Sequence, residues 1–247
     1  TLTKTPAEHG AFFGRDLTIG NINGDAYDDV IVGTPFANNG AADNGEVQVF
    51  LGGPGQFDTT VDAIFTISPA GVNNQFGYAV RVGDVNGDDI GDLLIGAWGV
   101  DTEQPDNGMT LVYFGSVGNS PDTTPDAVLT KTPAEQNARF GRWLATSDLN
   151  NDGYYDIVVG EPFANTGLRD NGEAQFFFGG PGQFDTTADA IVTKIPAEDS
   201  AVFGRRIASC DINNDGFGDA IVTAFQADNL ANNNGEAQIF FGRAGTN

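Results

Sequence analysis

The segment FGRWLATSDLNNDGYYDIVVG, residues 140–160, contains the pattern that decides the fold, because related versions of it occur four times in the chain. Each version begins with a Phe-Gly pair, and successive pairs are 63, 64 and 63 residues apart. An Asn-Gly pair follows each of them at the same distance of 31 residues. The chain is therefore predicted to be an array of four repeats. The Phe-Gly pairs are Phe13-Gly14, Phe76-Gly77, Phe140-Gly141 and Phe203-Gly204.

Each repeat has the patterning of short β-strands. After the Phe-Gly pair comes a short segment, then an acidic loop and an apolar run, as at residues 157–159. The Asn-Gly pair leads into a third segment, such as 174–178, and a fourth segment follows, such as 190–193. Asn-Gly is typical of a type I′ turn, in which both central residues have positive φ. No stretch of ten or more residues has a helical apolar period, so we predict four antiparallel strands in every repeat.

Four-stranded units of this kind cannot bury both faces alone and therefore stack on one another. We predict an all-β fold, a β-propeller of four blades that occupies residues 1–247 as a single domain. Residues 1–6 resemble the fourth strand of other repeats, so we expect them to pair into the last blade and close a monomeric ring. The alternative is two chains that exchange terminal strands to form an eight-bladed ring. The repeats run approximately over residues 7–69, 70–133, 134–196 and 197–247.

The composition argues against several classes of function. The chain has 34 Asp and Glu against 11 Lys and Arg, a formal net charge of −23. Nucleic acids and anionic membranes are unsuitable partners because proteins bind both through Lys and Arg. No run of 18 apolar residues is present, so we expect no membrane insertion. A single Cys, Cys210, and a single His, His9, argue against disulfides, Cys-based zinc sites and His-dependent catalytic triads.

The four acidic loops, residues 21–29, 84–92, 148–156 and 211–219, have the composition of calcium sites. Carboxylate or amide side chains occupy positions 1, 3, 5 and 9 of each nine-residue loop. Calcium takes six to eight oxygen ligands at flexible angles, and a backbone carbonyl at position 7 would add one more. Position 12 is not Glu and no helices flank the loops, so they are not EF-hands. We therefore predict up to four calcium ions that stabilise the fold and have no catalytic role.

The predicted ligands differ in charge between the loops. Loops two to four each contain three carboxylates at the predicted positions, whereas loop one has two because Asn21 replaces Asp. Loops three and four also have Gly at position 6, where a sharp turn needs positive φ. We expect loops three and four to bind most tightly and loop one least. The predicted ligands are Asn21, Asn23, Asp25, Tyr27 and Asp29; Asp84, Asn86, Asp88, Ile90 and Asp92; Asp148, Asn150, Asp152, Tyr154 and Asp156; and Asp211, Asn213, Asp215, Phe217 and Asp219.

The Phe-Gly pair, the acidic loop and an apolar triplet followed by Gly, as in Gly33-Thr34-Pro35, together resemble the FG-GAP repeat. This repeat forms the β-propellers of integrin α-subunits and of integrin-like bacterial and fungal proteins. The resemblance covers almost the whole chain. It implies that the acidic loop joins the first and second strands of a blade, binds calcium, and lies opposite the ligand-binding face. This chain departs from the family in having four repeats where seven are usual, and in placing Trp98 and Thr223 at positions of the family's Pro and Gly.

The predicted function is that of a calcium-stabilised, integrin-like module that binds or adheres to a protein or glycan partner. We predict no enzymatic activity, because the patterned carboxylates all lie in the acidic loops or recur in several repeats. The alternatives are a carbohydrate-binding lectin proper and an accessory propeller domain of a polysaccharide-active enzyme. We expect the protein to be secreted or at the cell surface. The chain starts at Thr1 and contains no signal segment, which indicates a processed chain.

Residues outside the acidic loops provide candidates for ligand contact. Long polar loops at 36–44, 99–107, 163–171 and 226–234 are the predicted recognition loops. An Arg follows the Phe-Gly pair in three repeats and indicates either a repeated contact with a carboxylate of a neighbouring blade or a role in ligand binding. Trp98 and Trp143 interrupt the repeat pattern and serve either in packing or as a stacking platform for a sugar. The three arginines are Arg15, Arg142 and Arg205.

Overall fold

The computed structural model describes residues 1–55, 57–118, 120–228 and 232–244. Within these residues the chain forms four antiparallel sheets, one for each repeat, and no helix. The all-β prediction is therefore confirmed. The first sheet contains β1 (Asp16–Gly20), β2 (Asp29–Thr34), β3 (Glu46–Phe50) and β4 (Ala63–Phe65). The second contains β5 (Ala79–Gly83), β6 (Asp92–Ala97), β7 (Met109–Tyr113) and β8 (Ala127–Thr130). The third contains β9 (Trp143–Ser147), β10 (Asp156–Glu161), β11 (Glu173–Phe177) and β12 (Ala190–Thr193). The fourth contains β13 (Phe203–Cys210), β14 (Asp219–Ala224) and β15 (Glu236–Phe240).

Each sheet is a meander in which strands consecutive in the sequence are hydrogen-bonded neighbours. The apolar runs form the second strands, and β6 and β10 are buried along their whole length because neighbouring sheets pack on both of their faces. The acidic loops join first strands to second strands, and the long polar loops join second strands to third strands. Since the strands are antiparallel, these two sets of loops lie at opposite ends of the sheets. None of the described residues belongs to a helix that could cross a membrane.

The Phe-Gly and Asn-Gly pairs meet each other where one sheet joins the next. Gly45 of the first sheet forms a parallel bridge with Phe76 of the second, and the same bridge joins Gly108 to Phe140 and Gly172 to Phe203. A Cβ atom at Gly45 would overlap the backbone of Phe76, so the bridge requires Gly. The three Phe side chains are fully buried between sheets. The constant spacing of the two pairs therefore reflects a joint between neighbouring blades.

The Asn-Gly pairs do not form type I′ turns, which corrects the prediction for this turn. Positive φ occurs at Gly45 and at the preceding Asp43, but not at Asn44. The Asn44 side chain is buried and accepts hydrogen bonds from the backbone N–H of Gly71, at 3.1 Å, and from Nδ2 of Asn74, at 2.8 Å. Asn is needed here because its side-chain amide bridges two blades. The residues that adopt positive φ are its neighbours, Asp43 and Gly45.

The predicted closing strand is not observed. Within the described residues, the segment 1–6 forms no strand, and β15 is the outermost strand of the fourth sheet. Thr5 instead exchanges two hydrogen bonds with the Gln48 side chain of the first sheet, at 2.7 and 3.3 Å. Equivalent contacts join Thr132 to Gln175 and Ile195 to Gln238. Residues 1–6 therefore correspond to a linker that docks on the following blade, and the prediction of ring closure by this segment is wrong.

Both ends of the array leave apolar faces uncovered. Leu17 of β1 is 56% exposed, whereas the equivalent Val80, Leu144 and Ile207 are at most 9% exposed. Those three residues pack against the preceding sheet in the apolar clusters that join the blades. No sheet precedes β1 within the described residues, so its face is open. The described chain is thus an open arc of four blades.

The opposite end of the arc shows the complementary open face. Ile239 of β15 is 48% exposed, whereas its equivalents Val49, Val112 and Phe176 are at most 7% exposed because the following sheet covers them. Cys210, at the end of β13, is exposed as well. The residues at the equivalent positions of the other blades are small: Gly20, Gly83 and Ser147. The following blade lies close to Gly83, where an added Cβ would meet Tyr155 and Thr146. No described sheet follows the fourth one, so no following blade covers Cys210.

Candidate functional site

The carboxylates at position 9 of the acidic loops have a structural role in all four blades. Each is fully buried and accepts two backbone hydrogen bonds. Asp92, for example, accepts the N–H of Val85 in its own loop at 2.8 Å and the N–H of Gly115, beyond β7, at 2.9 Å. Each carboxylate thus holds the acidic loop against the end of the third strand. The equivalent residues are Asp29, Asp92, Asp156 and Asp219.

The side chains at positions 1, 3 and 5 fold the loop around its own backbone. In the second loop, Asp84 accepts the N–H of Asp89 at 2.8 Å, and Asn86 accepts the N–H of Asp88 at 3.0 Å. Asp88 accepts the N–H of Ile90 at 2.9 Å, and the position 7 residues of the other loops donate in the same way. The position 3 amide also donates to the position 5 carboxylate in every loop, in the pairs Asn23–Asp25, Asn86–Asp88, Asn150–Asp152 and Asn213–Asp215.

Loop one has a different geometry from the other three. In loops two to four, the position 1 Asp accepts the N–H groups of positions 5 and 6. Asn21 instead donates Nδ2 to the carbonyl of Asp25 at 2.5 Å and accepts the N–H of Gly24. Ala26, at position 6, lacks the positive φ that Asp89 and Gly153 have at this position. The first loop therefore lacks both the charge and the conformation that the other loops share.

Burial raises the pKa of three of the position 9 carboxylates, Asp29, Asp92 and Asp156. For Asp92 and Asp156 the pKa rises to about 7. Repulsion from other carboxylates of the same loop adds to this shift, and the two backbone hydrogen bonds that each carboxylate accepts oppose it. The pKa of Asp29 is raised for the same main reason. An adjacent cation would favour the ionised form of each.

The donor chemistry of loops two to four fits a hard divalent cation, since each combines three carboxylates and an amide with no basic residue. Among the residues that the structure describes, however, no group of three or more His, Cys, Asp or Glu side chains is arranged to hold a metal ion. The loop oxygens accept the loop's own N–H groups. The loops thus contain the oxygen atoms for a cation in the sequence positions predicted, while their coordination of one stays a prediction.

The first strands of neighbouring sheets, β1, β5, β9 and β13, contact one another and are called the inner strands. The end of the inner strands opposite the acidic loops carries basic and aromatic side chains. Arg15 donates to the Tyr78 hydroxyl at 2.6 Å, and Arg142 contacts the same hydroxyl at 3.4 Å. Arg205 and Arg206 lie over the Trp143 ring, at 5.8 and 3.7 Å from its centroid. With Arg139, whose guanidinium is 4.7 Å from the Trp98 ring centroid, these residues form an arginine cluster. The arginine cluster is defined as Arg15, Arg139, Arg142, Arg205 and Arg206.

The arginine cluster corrects part of the sequence interpretation. No carboxylate within the described residues forms an ion pair with any of its five arginines, so the predicted contact with a neighbouring blade's carboxylate is not observed. Trp143 is buried and packs between sheets. Sequence comparison missed Arg139 and Arg206 because neither recurs in the other repeats. Their only signal was that five of the eight arginines lie within three residues of a Phe-Gly pair.

Three stretches of the chain, residues 13–50, 76–113 and 140–177, match the FG-GAP repeat family. Each match begins at the Phe of a Phe-Gly pair and ends with the third strand of the same sheet. Meander sheets of this topology, each with an acidic loop between its first and second strands and stacked in an arc, define the class of β-propeller repeat proteins. Within that class, three blades of the chain are FG-GAP repeats, which confirms the resemblance seen in its sequence.

Several curated proteins are similar to this chain. Integrin alpha-5 of Xenopus laevis is 30% identical over 227 residues, which is 88% of this chain and 20% of the relative. Phosphatidylinositol-glycan-specific phospholipase D of Homo sapiens is 30% identical over 182 residues, covering 71% of this chain and 21% of the relative. Integrin alpha-8 of Homo sapiens is 27% identical over 228 residues, covering 90% and 20%. The chain thus spans about a fifth of the length of these relatives.

Solved structures share the fold at low sequence identity. The exotype rhamnogalacturonan lyase YesX has a TM-score of 0.54 and 13% identity, over 84% of this chain and 38% of its own. The Bacillus licheniformis rhamnogalacturonan lyase PL11 has a TM-score of 0.55 and 12% identity, over 84% and 39%. This likeness concerns the fold alone.

Proposed function

We propose that this chain is a calcium-stabilised binding module that recognises a protein or glycan partner outside the cell. The observation that carries the proposal is the separation of two faces: repeated acidic loops at one end of the sheets, and long polar loops with the arginine cluster at the other. A rigid scaffold that presents variable loops on one face is suited to recognition. The family resemblance supports an extracellular or cell-surface location.

The acidic loops are proposed to hold calcium through the ligands predicted from the sequence, with the first loop weakest. When bound, calcium would neutralise carboxylates that otherwise repel one another within a nine-residue turn. The position 9 carboxylates would then link the ion to the end of the third strand, because they already hold the loop there. The role we propose for the ion is to stabilise each blade at the end away from the partner.

Binding to an array of glycans and of matrix proteins tests the proposed function. We expect a partner of one of these classes to be retained in calcium and released in a chelator, since the loops support the blades. Binding to glycans alone would identify a lectin, whereas binding to proteins alone would identify an adhesion module. If the protein melts cooperatively in calcium and yet retains neither a glycan nor a protein partner, the proposal is contradicted.

A second candidate function is an accessory propeller of an enzyme. The 30% identity to a phosphatidylinositol-glycan-specific phospholipase D over 71% of the chain favours this alternative. In such a protein the propeller would bind the substrate or its surroundings, and a separate domain would carry the chemistry. Release of product from polysaccharides or glycolipids by this chain alone would contradict both candidates.

We further propose that the open faces of the arc bind blades of the same kind, and that in a solution of this chain a second copy provides them. The face around Ile239 corresponds to the faces that bind the following blade inside the arc, and the face around Leu17 corresponds to those that bind the preceding one. Each open face is therefore one half of an interface that the structure already forms three times. Two copies joined at both faces would make one head-to-tail dimer.

A further inference from the structure

The arginine cluster is an unusual feature in a chain with a net charge of −23. Its five cations lie at the start of the innermost strands of blades one, three and four, around aromatic residues of blades two and three. Burial, with repulsion from Arg205 and Arg139, lowers the pKa of Arg142 to about 10. Burial lowers the pKa of Arg206 as well; repulsion from Arg15 and Arg205 adds to this shift, and attraction to Asp16 opposes it. The protein therefore holds like charges together, and within the described residues no carboxylate forms an ion pair with them.

The aromatic rings position the guanidinium groups. Arg15 lies 4.2 Å from the Tyr78 ring centroid, and Arg139 lies 4.5 Å from that of Phe163. A planar guanidinium that contacts a ring through its face keeps its N–H edges for other partners. Arg142 has two such groups, Nε and Nη1, which are buried and lack a hydrogen-bond partner. The rings thus support the cations and leave donors unsatisfied.

Buried donors without a partner are rare in folded proteins, and a water, an ion or a ligand is among the groups that can satisfy them. The Nε1 atom of Trp143, a residue only 2% exposed, also lacks a partner, and so does Nε1 of Trp98. A carboxylate would supply acceptors and negative charge together, and Arg binds it through two parallel hydrogen bonds. Beside Arg205, at 5.3 Å from its guanidinium, the Phe225 ring is 48% exposed and offers an apolar surface.

We propose that the arginine cluster binds the carboxylate of an acidic sugar, with Phe225 against the apolar face of the sugar ring. The proposal rests on the proposed function, because it assigns a ligand chemistry to the partner-binding face. A uronic acid combines the two elements that the site offers, a planar anion for the guanidinium groups and a ring with an apolar face for Phe225.

Calorimetric titration with galacturonate, and with galactose as its neutral counterpart, tests the proposal at constant ionic strength. We expect galacturonate to bind and galactose not to bind. Arg15→Gln and Arg205→Gln should each weaken galacturonate binding about tenfold, whereas Arg243→Gln, at an exposed position at the acidic-loop end of the fourth sheet, should leave it unchanged. Arg15→Lys keeps the charge but loses the fork, so an intermediate affinity is expected. Melting curves without ligand identify any variant that fails to fold, and the Lys variant then replaces it.

Three results would overturn the proposal: no binding of galacturonate, equal binding of galactose, or unchanged affinity in both Gln variants. Equal affinity for N-acetylaspartate amide would show that the sugar ring contributes nothing and would overturn the assignment to a saccharide. The proposed function fails separately. If galacturonate binds while no partner is retained on the arrays, the site stands and the function falls. If a partner is retained equally by wild type and Arg15→Gln, the function stands and the site falls.

Discussion

At the scale of single residues, the acidic loops depend on backbone conformations that most side chains avoid. Gly153 and Gly216 have φ of +92°, as expected for Gly at position 6. Asp89 adopts φ of +65° at the same position without being Gly, which the sequence did not reveal. The strand ends and the buried position 9 carboxylate fix the path of the loop, so the residue at position 6 must follow it.

We predict that Gly153→Ala lowers the free energy of unfolding by about 1 kcal/mol, the cost of a left-handed conformation for a side chain. No atom lies within 4 Å of the added Cβ, so sterics contribute nothing. Gly180→Ala is the matched control, because its Cβ also meets no atom and its φ is not positive. Urea unfolding of both variants checks this, and equal stability of the two would contradict it.

A buried ionic cluster lies in the third blade, and the equivalent pairs Lys4–Glu46 and Lys194–Glu236 occur in the first and fourth. Lys131 forms ion pairs with Glu161 at 3.1 Å and with Glu173. Burial raises the pKa of Glu161 well above its usual value, and repulsion from Glu173 adds to the shift. At the position of Lys131 the second blade has Ile67, in the apolar cluster between the first two blades. The fold therefore accepts either a polar or an apolar solution at this position.

The raised pKa of Glu161 makes part of the stability depend on pH. The folded protein keeps this proton at pH values where the unfolded chain has lost it, so the contribution is full at low pH and is lost as the pH rises through the folded pKa. We predict that Glu161→Gln removes this decline. Unfolding free energies of wild type and variant, measured from pH 5 to pH 8, should converge or cross. Glu103→Gln, at an exposed position, is the control and should run parallel to wild type.

At the scale of elements, the strands could be predicted from sequence but their joints could not. In the third blade the predicted segments 157–159, 174–178 and 190–193 lie within two residues of the observed strands, because continuous apolar runs indicate local burial. The bridge between Gly45 and Phe76 joins residues whose roles depend on a neighbouring blade. The sequence therefore predicts an ordinary hairpin turn at the Asn-Gly pair, whereas in the structure Asn44 bridges two blades through its side chain.

The same joint supplies an internal comparison. Asn107 is fully buried, accepts the N–H of Glu135 at 2.8 Å and donates to Thr102 at 2.7 Å. Asn234, its equivalent in blade four, is exposed because no described blade follows. We predict that Asn107→Ala lowers the free energy of unfolding by about 2 kcal/mol, and Asn234→Ala by less than about 0.5 kcal/mol. Similar losses in urea unfolding would show that the bridge between blades contributes little.

Local sequence patterns also predicted the acidic loops, but they did not predict which hydrogen bonds the side chains of these loops form. The order of Asp and Asn in the sequence indicated a cation site. The structure adds that the position 9 carboxylates hold the loops in place and that Asn side chains donate to neighbouring carboxylates. Ring closure failed as a prediction because residues 1–6 resemble both the end of a fourth strand and the linker that follows it. Only the contact between Thr5 and Gln48 distinguishes the two.

At the scale of the whole molecule, acidic and basic side chains lie at opposite ends of the strands, and the faces of the two terminal blades are open. The acidic loops lie at one end of the inner strands and the arginine cluster at the other, so the net charge of −23 is unevenly distributed. Each terminal blade exposes apolar residues that are buried in its neighbours. Contiguous apolar surface of this kind is typical of interaction sites.

We predict that the chain sediments as a dimer, at about twice its mass of 25.9 kDa. Leu17→Glu and Ile239→Glu should each shift it to the monomer, because a charge would be buried at the interface. Val117→Glu is the control, since Val117 is 83% exposed and lies on neither face. A wild-type monomer at all accessible concentrations would contradict the proposed pairing of the open faces.

The central claim is that calcium in the acidic loops stabilises the blades, and thermal melting in calcium, magnesium and chelator tests it most directly. We predict that chelator lowers the melting temperature and that calcium restores it better than magnesium, because the loops offer many oxygen ligands in flexible geometry. Asp148→Asn should weaken the calcium response, whereas Asn21→Ala, in the loop predicted to bind least, should change it little. Superimposable melting curves in calcium and chelator would contradict the account.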